Sequence, residues 1–142
     1  CDIFCFRFFT VYGPRQRPDL AIHKFTNLIN DGKPIQMFGD GTTSRDYTYI
    51  DDIVSGIINA IPVLKGYEIV NLGESKTISL TEMIAMLQEK IGKKAIIEKL
   101  PFQAGDAERT FADITKAKKL IRYDPKWNFS DGLEEFLKWK KG

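Results

Sequence analysis

Between Ile3 and Phe9 the chain places Ile3, Phe4, Cys5, Phe6, Phe8 and Phe9 with almost no polar alternation. A strand that faces solvent on one side alternates, so this run reads as a strand buried on both faces, the pattern of a central strand in a parallel sheet. Parallel strands need crossover connections, which makes the expected class α/β. The run gives way to Thr10-Val11-Tyr12-Gly13-Pro14-Arg15-Gln16-Arg17-Pro18, a turn opening into a polar loop with two arginines. Ligands of open α/β sheets bind beyond the carboxyl ends of the strands, so a ligand site is expected between Thr10 and Arg17.

The remaining pattern alternates helices and strands. Pro18 and Asp19 read as the first turn of a helix with Ala21, Phe25, Leu28 and Ile29 inward, ended by Gly32. Ile35 to Phe38 reads as a short strand, Gly39 to Thr43 as a turn, and Arg45 to Tyr49 as extended chain. Asp51 or Asp52 is the expected cap of a core helix whose apolar face is Ile50, Ile53, Val54, Ile57, Ile58 and Ile61, stopped by Pro62. Glu68 to Leu72 follows as a strand, and Ser79-Leu80-Thr81-Glu82 is a capping box for a helix through Ile91 to Gly92. Ala95 to Leu100 reads as a strand ending at Pro101, and Gln103 to Arg109 as a polar loop. Asp113 and Ser130 are the expected caps of the last two helices.

Several function classes fall away on composition. With 142 residues, 43% hydrophobic, the chain has enough for one core. A net charge of +2 with interspersed signs gives no reason to invoke nucleic acid or an anionic membrane surface. No apolar run approaches the roughly 18 residues of a membrane span, and no signal peptide stands out, so a cytoplasmic protein is expected. The start at Cys1, inside an apolar strand, reads as that of a fragment. Cys1 and Cys5, about 13 Å apart on one strand, are too distant for a disulfide and read as buried free thiols. His23 is the sole histidine, expected on the outer face of its helix, which leaves no histidine cluster for a metal. Lys138, Lys140 and Lys141 complement a helix C-terminus rather than mark a partner site. Gly39-x-Gly41-x-x-Ser44 lacks the third glycine and the following helix of a dinucleotide fingerprint, and is rejected as one.

Four segments then fall in a recognisable order. They are the opening strand and loop; Phe38-Gly39-Asp40-Gly41 leading to Arg45-Asp46-Tyr47-Thr48-Tyr49-Ile50-Asp51-Asp52; Asn71-Leu72-Gly73; and Gly105-Asp106 before Ala112-Asp113-Ile114. Together they resemble, over essentially the whole chain, the C-terminal portion of extended short-chain dehydrogenase/reductases acting on nucleotide sugars. Arg7 to Pro18 and Gln103 to Lys116 are most similar to the UDP-glucuronate 4-epimerase branch. The resemblance implies an extended Rossmann fold represented here by a few parallel strands and a small α/β substrate-binding lobe.

It also implies roles. Arg45 would contact the nucleotide or its diphosphate, which suits a planar fork of donors. Asp106 would accept from ribose hydroxyls, and Gln36, Met37 and Phe38 would line the base. Thr10 and Arg17 would hold the uronate carboxylate. That matters because a 4-keto uronic acid is a β-keto acid, and its carboxylate must be held in a poor geometry for loss as carbon dioxide. Phe8 and Phe9 would form an apolar wall near the nicotinamide. Several related epimerases carry arginine where this chain has Gln103, a departure that favours the glucuronate branch over a generic UDP-galactose epimerase.

One part of the family pattern is missing. Its members use a Tyr-x-x-x-Lys pair to take a proton while NAD accepts the C4 hydride, after which the 4-keto sugar turns over. Four residues after Tyr12, Tyr47, Tyr49, Tyr67 and Tyr123 stand Gln16, Asp51, Ile53, Asn71 and Trp127, none of them lysine. The glycine fingerprint for NAD is absent too. The implied parent uses NAD, binds a UDP-sugar and forms a homodimer, whereas this chain alone is expected to hold no cofactor and to be inactive. The alternatives are a dehydratase or decarboxylase on the same scaffold, or a non-catalytic nucleotide-sugar-binding or assembly module.

Overall fold

The computed structural model describes residues 1–102, 105 and 107–142. The expected α/β architecture is present, built among the described residues on four two-stranded ladders, three of them parallel. Strand β1 (Ile3–Phe8) runs beside β6 (Tyr67–Leu72), with Phe8 opposite Leu72. After a one-residue break at Phe9 the chain re-enters as β2 (Thr10–Tyr12), parallel to β5 (Tyr47–Tyr49). Strand β3 (Pro34–Phe38) pairs with β8 (Ile96–Leu100). The antiparallel ladder is short, joining β4 (Ser44–Arg45) to β7 (Ile78–Ser79).

Helices α1 (Ala21–Asp31), α3 (Leu80–Ile91) and α5 (Phe129–Lys141) enclose one core. Its centre is aromatic: Tyr12 meets Tyr47, Tyr49 and Phe129, with the Tyr12 and Phe129 rings 5.1 Å apart. Helices α2 (Ile50–Ala60) and α4 (Thr115–Ile121) form a second core with β6 through Ile53, Val70, Leu72, Ile121 and Tyr123. Each fully buried aliphatic or aromatic side chain there contributes about 1.5–3 kcal/mol.

The capping box forms as expected: Ser79 Oγ accepts from Glu82 N at 3.2 Å while Glu82 Oε2 accepts from Ser79 N at 2.7 Å. Gly32 and Gly92 close α1 and α3 in the left-handed conformation.

Elsewhere local signals yield to tertiary demands. Helix α1 begins at Ala21, because Pro18 and Asp19 are used in a turn closed by Leu20 N donating to Arg17 O at 3.2 Å. Neither Asp51 nor Asp52 caps α2, whose N-cap is Tyr49. Asp52 is instead buried and accepts the backbone N–H groups of Lys126 at 2.9 Å and Trp127 at 3.0 Å. The apolar stripe of α2 is only partly inward: Val54, Ile58 and Ile61 are exposed, Ile61 to 68%. Small residues take the buried face, since Gly56 lies where a Cβ would press on Tyr123 and Leu72, so α2 packs closely along that side.

Asn128 caps α5 in place of Ser130, accepting from Asp131 N at 2.9 Å. Asp113 accepts from Thr115 N at 2.9 Å, but the N-cap of α4 is Ile114. Cys1 is exposed and Cys5 half-buried, both free thiols. His23 is 6% exposed, not on an outer face, and packs edge-on to Phe136 and Trp139. Among the described residues no helix is long and apolar enough to cross a membrane.

Candidate functional site

A cleft of about 280 Å³ opens where α1, β3 and β4 converge, lined by Asp19, Lys24, Gln36, Phe38, Arg45 and Phe102 among others. Strand alternation decides which side chains of β3 reach it. Gln36 and Phe38 are exposed and line the cleft, whereas Met37 lies on the opposite face, packed in the first core. Of the three residues expected at a base, two therefore meet the cleft through their side chains.

The turn after β3 fixes the approach to Arg45. Gly41 has φ +83°, and a Cβ there would collide with Thr81 Oγ1 and Met37 Sδ. Its carbonyl accepts from Thr81 N at 3.1 Å and Thr81 Oγ1 at 3.0 Å, and Thr43 O accepts from Leu80 N at 2.9 Å. The turn is thus pinned to the start of α3. Arg45 follows, its Nη1 donating to Ser44 O at 3.0 Å and Ala107 O at 2.6 Å. Both partners are carbonyls, so the charge is oriented but not neutralised by them.

Asp46, the neighbour that a surface reading would pair with Arg45, is fully buried and engaged elsewhere. Its Oδ1 accepts from Thr48 Oγ1 at 3.0 Å and Glu74 N at 2.8 Å, its Oδ2 from Ser75 N at 2.9 Å and Ala112 N at 3.1 Å. Nearby, burial raises Glu74 above the ordinary carboxylate value, with Asp52 and Asp46 adding to the effect against the opposing pull of Lys76. Glu74 Oε2 and the Tyr123 hydroxyl are buried without a hydrogen-bond partner among the described residues, and burial likewise raises Tyr123.

Thr10 and Arg17 are not brought to one pocket. Thr10 sits in β2, its N–H donating to Asp46 O at 3.0 Å. Arg17 pairs with Asp19 at 3.1 Å on the surface and lines a second cleft of about 280 Å³ with the Val11–Gln16 segment, Leu20 and Ile50. The loop between them is held at Gln16, whose Nε2 donates to Val11 O at 3.2 Å and whose carbonyl lies 2.7 Å from His23 Nδ1. Phe8 ends β1 and Phe9 falls in the break before β2. Phe8 is half exposed and stacked on Phe6 with ring centroids 6.3 Å apart, while Phe9 packs against the second core. Gln103 and Asp106 lie outside the described residues.

Reading the sequence missed Asp19, Lys24 and Phe102 in the first cleft, and the part played by Asp46. Lys24 was within reach of the pattern, being three residues from Ala21 on the same side of α1, and both line the cleft. Phe102 and the Asp46 contacts depend on segments far apart in sequence and left no local signal.

The model of the NAD dependent epimerase/dehydratase family matches residues 1–73. The UDP-glucuronate 4-epimerase of Thermodesulfobacterium geofontis is 49% identical over 141 residues, covering 99% of this chain and 43% of that protein. UDP-glucuronate 4-epimerase 5 of Arabidopsis thaliana is 38% identical over 153 residues, 96% of this chain and 35% of its own length. Among solved structures, the UDP-glucuronic acid 4-epimerase from Bacillus cereus in complex with UDP-glucuronic acid and NAD superposes with a TM-score of 0.89 at 42% identity. That match covers 96% of this chain and 44% of the other. The chain spans less than half the length of these relatives.

Proposed function

Because this chain belongs to the NAD dependent epimerase/dehydratase family, we propose that it is the sugar-nucleotide-binding, C-terminal portion of an enzyme that epimerises UDP-glucuronate at C4. The observation that carries the reading is Arg45, oriented by two carbonyl oxygens at the cleft that Gln36 and Phe38 also line. A nucleoside diphosphate needs a cation for its phosphates and a mixed polar and aromatic wall for its base, and these three supply both. Relatives named UDP-glucuronate 4-epimerase, alike over nearly all of this chain, support the choice of sugar.

Within this reading Gln36 and Phe38 face the base, with Met37 beneath them, Arg45 faces the diphosphate, and Asp106 receives the ribose hydroxyls. Thr10 and Arg17 grip the uronate carboxylate, which requires Arg17 to exchange Asp19 for the ligand and to move toward Thr10, from which it stands apart in this structure. Phe8, apolar and half exposed at the carboxyl end of β1, suits the edge of a nicotinamide, and Phe9 supports that wall from behind. The chemistry that NAD supplies when bound is removal and return of the C4 hydride. No Tyr-x-x-x-Lys pair is available within this sequence, so proton transfer at the sugar hydroxyl falls to the remainder of the intact enzyme, which we take to be a homodimer.

The deciding experiment supplies NAD and UDP-glucuronate to the intact protein and follows the sugar nucleotide by NMR. Accumulation of UDP-galacturonate is the expected result. Stoichiometric carbon dioxide release would move the assignment to a decarboxylase, and tight UDP binding without turnover would favour a non-catalytic binding module.

A further inference from the structure

The Asn71-Leu72-Gly73 motif and Asp46 have no place among the proposed ligand contacts, yet they meet. A Cβ on Gly73 would collide with that of Ala112 and lie 3.2 Å from Asp46 Oδ2, so only glycine lets β6 end this close to the carboxylate. The four donors that Asp46 receives come from three separate segments: Thr48 in β5, Glu74 and Ser75 after β6, and Ala112. A carboxylate removed from water must be satisfied by such donors, and here the satisfaction doubles as a clamp.

Two of those segments hold Arg45. Ser75 leads into β7, where Ile78 is the register partner of Arg45. Ala112 ends the segment in which Glu108 O accepts from Ser44 N at 2.9 Å and Thr110 N donates to Ser44 O at 3.1 Å. That same segment supplies the Ala107 carbonyl that aims the Arg45 guanidinium, and Thr110 Oγ1 accepts from Asp46 N at 3.2 Å. Arg45 is therefore flanked by two strips of backbone, both tied to the side chain of the next residue.

We propose that Asp46 is a positioning residue for nucleotide binding: its carboxylate locks the 73–75 and 107–112 segments to β4 and β5, and thereby fixes the Arg45 guanidinium at the cleft. The inference rests on the nucleotide-sugar reading above. It accounts for a buried acid directly after a ligand-binding arginine, because a shift of the acid displaces both walls that hold the arginine.

In the intact protein, Asp46→Asn turns one acceptor oxygen into a donor, and its NH₂ group would then oppose the donors now bound at that oxygen. The expected result is at least about a tenfold rise in the Kd for UDP and the KM for UDP-glucuronate. NAD affinity and kcat should change little, and backbone hydrogen exchange should quicken at Ser75 and Ala112. Thr110→Val, which removes only the acceptor for Asp46 N, should show the same split at smaller size, and it carries the test if Asp46→Asn does not fold. Faster exchange with UDP affinity unchanged would overturn the positioning role and leave the nucleotide reading standing. Equal losses in UDP and NAD affinity would reduce Asp46 to a general stability role. Absence of UDP binding by the unsubstituted protein would overturn the nucleotide reading, and this inference with it.

Discussion

Lys140, the penultimate residue of α5, lies 2.9 Å from Nε2 of the buried His23, whose Nδ1 is 2.7 Å from the Gln16 carbonyl. An ammonium only donates and a carbonyl only accepts, so the ring carries its proton on Nδ1 and offers Nε2 as acceptor. The His23 ring thus ties the arginine-bearing loop to the last helix. His23→Leu should cost about 0.5–1.5 kcal/mol, because it removes the part-buried hydrogen-bond partner of the Gln16 carbonyl. Urea unfolding measures it; a loss no larger than that of Lys140→Met would show that the carbonyl finds water.

Arg45→Ala in the intact protein should weaken UDP and UDP-sugars alike by about one to two decades, the loss of charge-assisted bonds to phosphate. Titration calorimetry gives the answer directly. An unchanged UDP affinity would remove Arg45 from the site.

Arg17→Ala separates the sugar from the nucleotide. Its guanidinium pairs with exposed Asp19 and lines a cleft apart from that of Arg45, so UDP binding should stay nearly intact while UDP-glucuronate binding falls and some carbon dioxide is released. Equal losses for the two ligands would count against a carboxylate holder.

Glu74 gives a pH signature. Burial raises it above its ordinary 4.5 in the folded state. Below that value both states are protonated and there is no penalty; as pH climbs through and beyond it the unfolded chain ionises first, and stability is lost. Glu74→Gln should therefore leave stability unchanged in acid and raise it toward neutrality, as read from thermal unfolding at several pH values. A benefit of equal size at all pH values would assign the effect to packing.

The chain produced alone should self-associate. Among the described residues β1 is paired only with β6, and Ile3, Phe8 and Tyr67 are exposed along that ladder. Unpaired edges beside apolar side chains invite further strands. Light scattering over a dilution series would detect it, and a monomer with a sharp thermal transition would show that the strand needs no more cover.

What the sequence disclosed was local or periodic. The capping box at Ser79, the strand from Ile3 and the glycine turn before Arg45 depend on neighbours within a few residues, and all three are present, although the strand, with Ile3 and Phe8 exposed, is not buried on both faces as its composition suggested. Asp52 and His23 defeated the same logic. Each has a short-range alternative, a helix cap or a solvated face, but Trp127 and Lys140 claim them from the far end of the chain. The α2 stripe misled for a related reason: periodicity shows where apolar residues lie, while Gly56 and Ala60 decide which side approaches the core. Met37 is the counterpart in the candidate site, because a motif places three consecutive residues near a base and the pleat turns the middle one away.

Each ladder joins strands that are distant along the chain: Phe8 waits for Leu72, Tyr12 for Tyr49, and Pro34 for Ile96. The cluster around Tyr12 waits longest, since Phe129, Leu133 and Phe136 complete it. On a ribosome, then, β1, β2 and β3 leave the tunnel with these partners still untranslated. Long-range closures of this kind are slow, and the nascent chain carries bare aromatic surface until α5 emerges. That exposure during synthesis is set by the order of its strands rather than by their composition.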